Sequence, residues 1–345
     1  MTPSNPIPTD RITDRLSVLS LRCITSTNAN WKRPVEIRKL AAIDIGSNAI
    51  RLLVQNVIEA ADRPVQFNKS ALIRVPVRLG EDSFRLGRIS EANAGRIRDT
   101  LKAFSLLMRV SGVERYRACA TSAMREATNG KDILEKARLE TGMAVELIDG
   151  QREAAIIAAT DISRLIRQEG TYLYIDVGGG STEYTVFSDG QAVASRSFRI
   201  GTVRLLGDSV TAADWQDVET WIREQVRRFP RVEIIGSGGN INKLHKMSGR
   251  KQGEPLSQIW LNAHFHFLNS MTYEERISEL GLNPDRADVI IPATRIFLMS
   301  AKWSRAKRIH VPQIGLADGI IRTMYHSKSK PESGYAVPGG EGFDS

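Results

Sequence analysis

The chain has 345 residues, of which 41% are hydrophobic and 25% charged, a composition typical of a globular protein with material for two domains. No apolar run approaches the roughly 18 residues that a membrane-spanning helix needs, so we expect no membrane partner. The net charge of +9 favours an anionic partner, but it does not distinguish nucleic acid, a phosphorylated metabolite and polyphosphate.

The two ends of the chain lack the pattern of a folded domain. Residues 1–37 carry early Pro, Ser, Thr and Asn without the apolar region of a signal peptide, and we expect a flexible extension. The tail 327–345 is rich in Ser, Pro and Gly and is predicted to be disordered. Cys23 and Cys119 have no metal-ligand or disulfide pattern, so we interpret them as reduced thiols of a cytoplasmic protein, with Cys119 in a core.

Between the ends, strand-like and helix-like patterns alternate, which is typical of α/β domains. Residues 39–57 predict a strand, a tight turn and a strand, and residues 91–112 predict a helix that ends at a glycine. A strand and a loop follow over 115–129, and then a helix over 131–142. Residues 145–166 predict a short strand that leads through a turn into a long helix.

The second half repeats the opening pattern. Residues 171–201 again predict a strand, an acid, a glycine turn and a strand, with a further strand after them. Residues 232–246 predict a strand, a third glycine turn and a helix, which suits a phosphate or ribose at a helix N-terminus. Two or three helices follow over 270–304, and a strand, a turn and a helix over 309–325. The repetition predicts two similar α/β units with a ligand cleft between them.

Two of the glycine turns carry an acid at the end of the preceding strand. Asp44 comes just before Gly46, and Asp176 comes just before Gly178 and Gly179. Glycine lets backbone N–H groups approach a ligand closely, and carboxylates beside such groups indicate an anion held through a divalent cation. Two ordinary hairpins are the alternative, but the equivalent places of the turns in the two units favour a ligand site.

Seven segments together resemble the exopolyphosphatase/guanosine pentaphosphate phosphohydrolase (Ppx/GppA) family: AAIDIGSNAIRLLV, ATSAMREATN, GQREAA, IDVGGGSTEY, GSGGNINKL, RADVIIPA and GLADG. The resemblance covers residues 39–325 and implies the fold of the actin-like and sugar-kinase superfamily. That fold consists of two ribonuclease-H-like α/β domains around a cleft, and the chain is similar to the short two-domain form. Domain I is expected over 38–158 and 312–326, and domain II over 159–311.

The resemblance implies Mg²⁺-dependent hydrolysis, by in-line water attack, of the terminal phosphoanhydride of polyphosphate or of the 5′ γ-phosphate of guanosine pentaphosphate. It also implies a homodimer and no specific nucleic-acid partner. Glu153 matches the proposed catalytic base and Arg125 matches a phosphate-contacting arginine. Glu183 is a candidate for positioning the attacking water or the metal. Asp44 and Asp176 are the metal candidates, acting through water. The candidates for binding phosphate are Ser47, Asn48, Gly178, Gly179, Gly180, Ser181, Gly238 and Gly239.

Each catalytic candidate also has a structural explanation. Glu153 suits the first turn of a helix through the helix dipole, Glu183 suits a strand surface, and Arg125 suits a loop. Four further basic residues are candidates for contacting a longer polyanion: Arg196, Arg199, Arg204 and Lys243.

Three features depart from the family pattern and bear on substrate preference and turnover. Arg152 stands where many relatives have a second acid, and we expect its charge to lower the pKa of Glu153. Asn240 replaces a threonine, and VPQIGLADG lacks a Ser-Asp pair. Two other functions stay open. One is a non-catalytic regulator that binds guanosine penta- or tetraphosphate, and the other is a sugar kinase or actin-like ATPase with ATP near Gly238.

Overall fold

A computed structural model describes residues 35–61, 63–158, 160, 170–327 and 334–339 of the chain. Cys23 and nearly all of the predicted N-terminal extension lie outside the described residues. Glu36 and Ile37 already belong to the first strand, so regular structure begins two residues before the predicted boundary of domain I. Within the described ranges, no helix is long and apolar enough to cross a membrane.

Six strands form the first sheet, sheet A: β1 (Glu36–Ile45), β2 (Ala49–Ala60), β3 (Arg63–Pro76), β4 (Arg115–Ala120), β5 (Glu146–Leu147) and β12 (Tyr335–Ala336). Their order is β12-β4-β1-β2-β3, and β5 also pairs with β4. β1 runs antiparallel to β2 and parallel to β4. The last six residues of β1 are all buried, because helices cover both faces of the sheet.

Six strands form the second sheet, sheet B: β6 (Thr171–Val177), β7 (Thr182–Ser188), β8 (Gln191–Phe198), β9 (Glu233–Ser237), β10 (Leu256–Ser257) and β11 (Arg308–His310). Their order is β10-β11-β9-β6-β7-β8. β6 runs antiparallel to β7 and parallel to β9. The order β8-β7-β6-β9 therefore repeats the order β3-β2-β1-β4 of sheet A, and the predicted duplication is present in the fold.

The helices fall into two groups along the chain. The first half contains α1 (Leu79–Leu86), α2 (Glu91–Val110), α3 (Ser122–Glu126), α4 (Gly130–Thr141) and α5 (Gly150–Ala158). The second half contains α6 (Thr202–Leu206), α7 (Ala212–Val226), α8 (Gly239–Met247), α9 (Gln258–Ser270), α10 (Tyr273–Ser278), α11 (Pro284–Ala287), α12 (Ile290–Ser304) and α13 (Leu316–His326). The part of the predicted long helix that follows residue 160 lies outside the described residues.

Each sheet has its own apolar core, and a third core joins the two halves. Alternate residues of β1 face the two cores beside sheet A, with Ile43 on one face and Ala42 on the other. The shared core lies around α5 and α13 and includes Tyr174 from sheet B. Gly319 of α13 lies against the backbone of Ile156 in α5, leaving no room for a side chain. The last helix thus closes back onto the first half of the chain.

The tail after residue 327 does not follow the prediction of disorder throughout. Tyr335 and Ala336 pair with Tyr116 and Arg115 as an antiparallel edge strand, and the two tyrosine rings lie 5.8 Å apart. Val337 is buried in the core beside sheet A. The prediction of disorder is wrong for residues 334–339. The side chains of Tyr335 and Val337 pack against sheet A, although the residues around them are mostly polar or glycine. Residues 328–333 and 340–345 lie outside the described residues.

Candidate active site

The turns after β1 and β6 lie against each other where the two halves of the chain meet. A Cβ atom at Gly179 would lie 2.8 Å from the Cβ atom of Ser47. Gly180 is packed against Phe84 and Ser122, where a side chain has no room. The hydroxyls of Ser47 and Ser122 form a hydrogen bond of 3.0 Å. Glycine is therefore required at both positions for the contact between the halves.

These turns enclose a cavity of about 90 Å³, which we call the acidic chamber. The predicted site residues that line it are Asp44, Ser47, Asn48, Glu153, Asp176, Gly178, Gly179, Ser181, Glu183, Gly238 and Gly239. Gly180 and Arg125 do not line it. The sequence prediction thus selected side chains from both halves that the fold brings to one small cavity.

Glu153 lies in the first turn of α5 and is buried. Burial raises the pKa of its carboxyl well above the usual range, and the negative charges of Glu183 and Asp176 raise it further. Its Oε2 atom has no hydrogen-bond partner among the described residues. A buried carboxylate with an unpaired oxygen and a raised pKa is suited to take a proton from water.

Glu183 and Asp176 face each other on paired strands, because Asp176 of β6 is in register with Glu183 of β7. Burial raises the pKa of Glu183, although hydrogen bonds from Ser181 and Ser197 to Oε1, of 2.7 Å and 2.9 Å, oppose the rise. Burial and the charge of Glu183 raise the pKa of Asp176 to about 7. The chamber thus brings together carboxyl groups whose ionised forms are disfavoured by burial and by one another.

Two arginines oppose this negative charge. Arg51 donates to Oδ2 of Asp44 at 2.8 Å from the neighbouring position on β2. Arg125 donates to the carbonyl oxygen of Ile148 at 2.8 Å, and its charge lowers the pKa of Glu153. In this arrangement Arg125 acts on the carboxylates from behind the chamber wall, and its predicted contact with phosphate stays a prediction.

The expectation that Arg152 lowers the pKa of Glu153 is wrong. The pKa of Glu153 is raised well above its usual range, and the cation whose charge opposes the rise most strongly is Arg125. The partly exposed Arg152 donates its backbone N–H to Asp149 at 2.7 Å at the start of α5. Adjacent residues on a helix point in different directions, so the neighbour in sequence is not the neighbour in the chamber.

A larger cavity of about 760 Å³, the basic trough, continues from the acidic chamber past the third glycine turn. Asp44, Gly238 and Gly239 border both cavities. Seven cationic side chains line the trough: Arg51, Lys69, Arg74, Lys243, Lys246, Arg250 and Arg286. The acidic side chains of its lining are Asp44 and Asp318. Three of the seven cations are already ion-paired, Arg51 with Asp44, Lys69 with Asp318 and Arg74 with Asp285. Among the described residues, the trough therefore owes its excess positive charge to Lys243, Lys246, Arg250 and Arg286.

Three arginines stand at the junction of the two cavities. Arg51, Arg74 and Arg286 line both of them. Burial lowers the pKa of Arg286, and the charges of Arg74 and Arg51 lower it further. A Cβ atom at Gly239 would lie 3.4 Å from Nη2 of Arg286, so this guanidinium stands at the start of α8. Like charges held this close favour a bound anion.

Three of the four basic residues predicted to contact a longer polyanion serve another purpose. Arg196 pairs with Asp217 at 2.7 Å, away from both cavities. Arg199 and the buried Arg204 both bind Glu126, and Arg204 also donates to the carbonyl oxygen of Gly180 at 2.7 Å. These predictions are wrong because the three side chains line neither cavity and pair with acids of the chain. Lys243, the fourth residue, lines the trough.

A sequence model of the Ppx/GppA phosphatase family matches residues 63–328, most of the chain. The chain belongs to the Ppx/GppA phosphatase family.

Relatives and solved structures of the Ppx/GppA family match nearly the whole described chain. Exopolyphosphatase 2 of Mycobacterium tuberculosis is 28% identical over 318 residues, which cover 84% of this chain and 99% of the relative. Exopolyphosphatase 1 of the same organism is 24% identical over 319 residues, which cover 84% of this chain and 89% of the relative. The crystal structure of an exopolyphosphatase from Cytophaga hutchinsonii superposes with a TM-score of 0.73 at 24% identity, covering 84% and 98%. The crystal structure of the Aquifex aeolicus family member superposes with a TM-score of 0.67 at 24% identity, covering 86% of this chain and 100% of that structure. The fold is accordingly the actin-like fold of two α/β domains.

Sequence reasoning missed most of the cations that line the trough of this Ppx/GppA chain. Arg51 could have been found, because the predicted tight turn between β1 and β2 places it directly opposite Asp44. Arg74 and Lys69 lie on β3, which the sequence patterns did not predict. Arg286 lies in RADVIIPA, a segment used for the resemblance, so its position in a family motif was an available signal.

The chamber fits a divalent cation that substrate and water help to hold. Among the described residues, no three His, Cys, Asp or Glu side chains are grouped closely enough to hold a metal ion alone. Mg²⁺ usually retains several waters and uses one or two carboxylates together with substrate phosphates. The mutual repulsion of Asp176 and Glu183 and the unpaired Oε2 of Glu153 are features that a cation would relieve.

Proposed function

We propose that this Ppx/GppA chain hydrolyses the terminal phosphoanhydride bond of inorganic polyphosphate. The observation that carries the proposal is the junction of an acidic chamber with a basic trough. The chamber has carboxylates for a water and a cation, and the trough has seven cations for the rest of a polyanion, four of which form no ion pair among the described residues. The relatives named exopolyphosphatase support the same class of reaction.

Glu153 is the proposed base. An in-line displacement needs a water aimed at the terminal phosphorus and a group that takes its proton. The proton passes from the attacking water to Oε2 of Glu153, an atom that has no hydrogen-bond partner among the described residues. The bond between the terminal phosphorus and the bridging oxygen breaks, and the shortened polyphosphate leaves with that oxygen. Glu183 assists by raising the pKa of Glu153 through its charge.

Backbone groups of the two turns are the proposed contacts of the terminal phosphate. The N–H groups of Ser47, Asn48, Gly179 and Gly180 make no hydrogen bond to the other described residues. N–H groups held by tight turns bind phosphate oxygens without reorganising. The side chain of Asn48 is already held, because its Nδ2 donates to the carbonyl oxygen of Asp285 at 3.0 Å.

Asp176 is the residue best placed to hold Mg²⁺, with Asp44 as the second. When bound, the ion neutralises charge on the phosphate oxygens and orients the leaving group. Asp44 has one oxygen in its ion pair with Arg51, which leaves the other for a metal-bound water. Both carboxylates border the chamber beside Glu153.

The trough favours inorganic polyphosphate over guanosine pentaphosphate. Its lining contains no Phe, Tyr or Trp that would stack on a guanine. Its one histidine, His245, is buried and bonded at Nε2 to the carbonyl oxygen of Glu254 at 2.9 Å. The cations come from several segments along the trough, which suits a chain of identical anionic units.

Phosphate release from long polyphosphate, tripolyphosphate and guanosine pentaphosphate, each with Mg²⁺, tests the proposal. Glu153→Gln should lower the rate on polyphosphate by about 100-fold or more, because it removes the base. Glu91→Gln is the matched control, since Glu91 also lies in the first turn of a helix but is exposed and far from the chamber. Equal rates for Glu153→Gln and the wild type, or no release from polyphosphate by the wild type, would contradict the proposal. Faster release from guanosine pentaphosphate would contradict the substrate preference.

A further inference from the structure

A second basic cavity, of about 610 Å³, lies in the second half of the chain, outside the proposed catalytic site. We call it the arginine cavity. The end of α7, residues 229–232, the end of α12 and the start of β11 line it. Glu233 at the start of β9 borders it, whereas Ser237 at the end of the same strand borders the acidic chamber. Four steps along a strand separate the two residues by about 13 Å, so this cavity is distinct from the chamber.

The cationic side chains of the arginine cavity outnumber the acids near them. The cations are Arg223, Arg227, Arg231, Arg305, Lys307 and Arg308. Glu233 accepts from Arg231 at 2.7 Å and lies 4.0 Å from Arg308, and Glu219 pairs with Arg223 at 2.7 Å. No described acid forms an ion pair with the three remaining cations, Arg227, Arg305 and Lys307.

The ends of two helices do not neutralise this charge. Six cations and two carboxylates leave four positive charges around the cavity. α7 and α12 both end here, with Arg227 and Arg305 at their C-caps. Each helix C-terminus contributes about half a negative charge, so about three positive charges remain. Capping two helix C-termini needs fewer cations than the six that line this cavity. The remaining positive charge therefore favours a ligand with several negative charges.

One wall of the arginine cavity is apolar, unlike the basic trough. Phe229 is half-buried, and the guanidinium of Arg228 lies over its ring, 4.9 Å from the centroid. Pro230 beside it is exposed. Val226 and Trp303 are buried beneath them. An aromatic base stacks on such a surface, and the volume falls within the usual range for small-molecule sites.

We propose that the arginine cavity binds a nucleoside triphosphate. Its base lies against Phe229 and Pro230, and its phosphates contact Arg227, Arg305 and Lys307. Arg227 comes from the end of α7, and Arg305 and Lys307 come from the stretch between α12 and β11, so a single ligand in the cavity bridges two segments of the chain. This site is independent of hydrolysis in the acidic chamber, and a binding measurement tests it whether or not the chain cleaves polyphosphate.

Photolabelling locates the nucleotide. The full chain is irradiated with an ATP analogue that carries an azide on the adenine ring, and the labelled peptides are mapped by mass spectrometry. We expect the label within residues 226–232 or 303–308, and an excess of unlabelled ATP should prevent it. Labelling confined to residues 238–252, which border the basic trough, would overturn the proposal.

Charge reversal measures the contribution of the cations. Calorimetry with a non-hydrolysable ATP analogue should show about tenfold weaker binding for the double variant Arg305→Glu, Lys307→Glu. The control double variant Arg88→Glu, Lys136→Glu makes the same change in net charge at exposed positions outside both cavities, and it should bind as the wild type does. Equal loss in both double variants, or no loss in the first, would overturn the proposal. Inorganic tripolyphosphate that binds the cavity as tightly as ATP would refute the role of the apolar wall.

Discussion

Replacing Asp176 by asparagine should stabilise the folded chain at alkaline pH while removing activity. The carboxyl lies in the acidic chamber, where burial and the charge of Glu183 disfavour its ionised form. Asparagine has nearly the same shape as aspartate and carries no charge. The substitution therefore isolates the free energy of holding one negative charge in this place.

The pKa of Asp176 gives the size of the expected change in the free energy of unfolding. The pKa rises from an ordinary value of 3.8 to about 7, so the unfolded chain loses the proton several pH units before the folded chain does. The free energy of unfolding accordingly falls as the pH rises from about 4 to about 7 and is level above that. One pH unit is worth about 1.4 kcal/mol, so the ionised carboxylate costs the folded chain roughly 4 kcal/mol at pH 8 and less than 2 kcal/mol at pH 5.

Urea unfolding at pH 5 and pH 8, without Mg²⁺, measures the effect. The free energy of unfolding of Asp176→Asn should exceed that of the wild type, and the excess should grow by about 2–3 kcal/mol between the two pH values. Asp99→Asn, at an exposed position on α2, is the control and should show no such growth. An excess that is the same at both pH values would refute the reasoning. Mg²⁺ at pH 8 should stabilise the wild type more than the variant if Asp176 holds the ion.

Three further outcomes follow from the packing of the chain. Gly179→Ala should lower both stability and phosphate release, because a Cβ atom there would lie 2.8 Å from the Cβ atom of Ser47, and proteolysis and a phosphate assay would show it. Arg204→Met should lower the free energy of unfolding by about 1–3 kcal/mol in a urea titration, because it removes the hydrogen bond to the carbonyl oxygen of Gly180 and one of the two cations that pair with Glu126. In a Cys23→Ser background, Cys119 should react with a thiol reagent at pH 8 only after denaturation, since burial raises its pKa to about 12. Fast labelling of the folded chain would contradict this last expectation.

The fold was largely predictable because its strongest signals are local. A buried strand that ends in an acid and a glycine turn occurs twice, and the two hairpins occupy equivalent places in sheets A and B. Cys119 is buried in β4, as predicted from its apolar surroundings. β3 was missed, since it lies half-exposed at the edge of sheet A and the polar residues 68–70, beside a shift in register, interrupt its alternating apolar pattern.

The chamber could be predicted further than the trough. Glu153, Asp176 and Glu183 stand in short motifs that carry the family resemblance, and the fold places them around one cavity. The trough is built from cations on separate segments, and a sequence does not show which arginines meet each other and which meet acids. Arg204 illustrates the difficulty, because Glu126, which neutralises it, lies 78 positions away.

The short strand β12 closes part of an edge that sheet A would otherwise leave open. β4 is flanked by β1 on one side, and on the other side β5 pairs with its end and β12 with its beginning. Unpaired N–H and C=O groups along a strand recruit strands from other molecules. A chain cut before Tyr335 would leave Arg115 and Tyr116 of β4 without their partner strand, so we expect this segment of the tail to protect the edge of sheet A against pairing with other molecules.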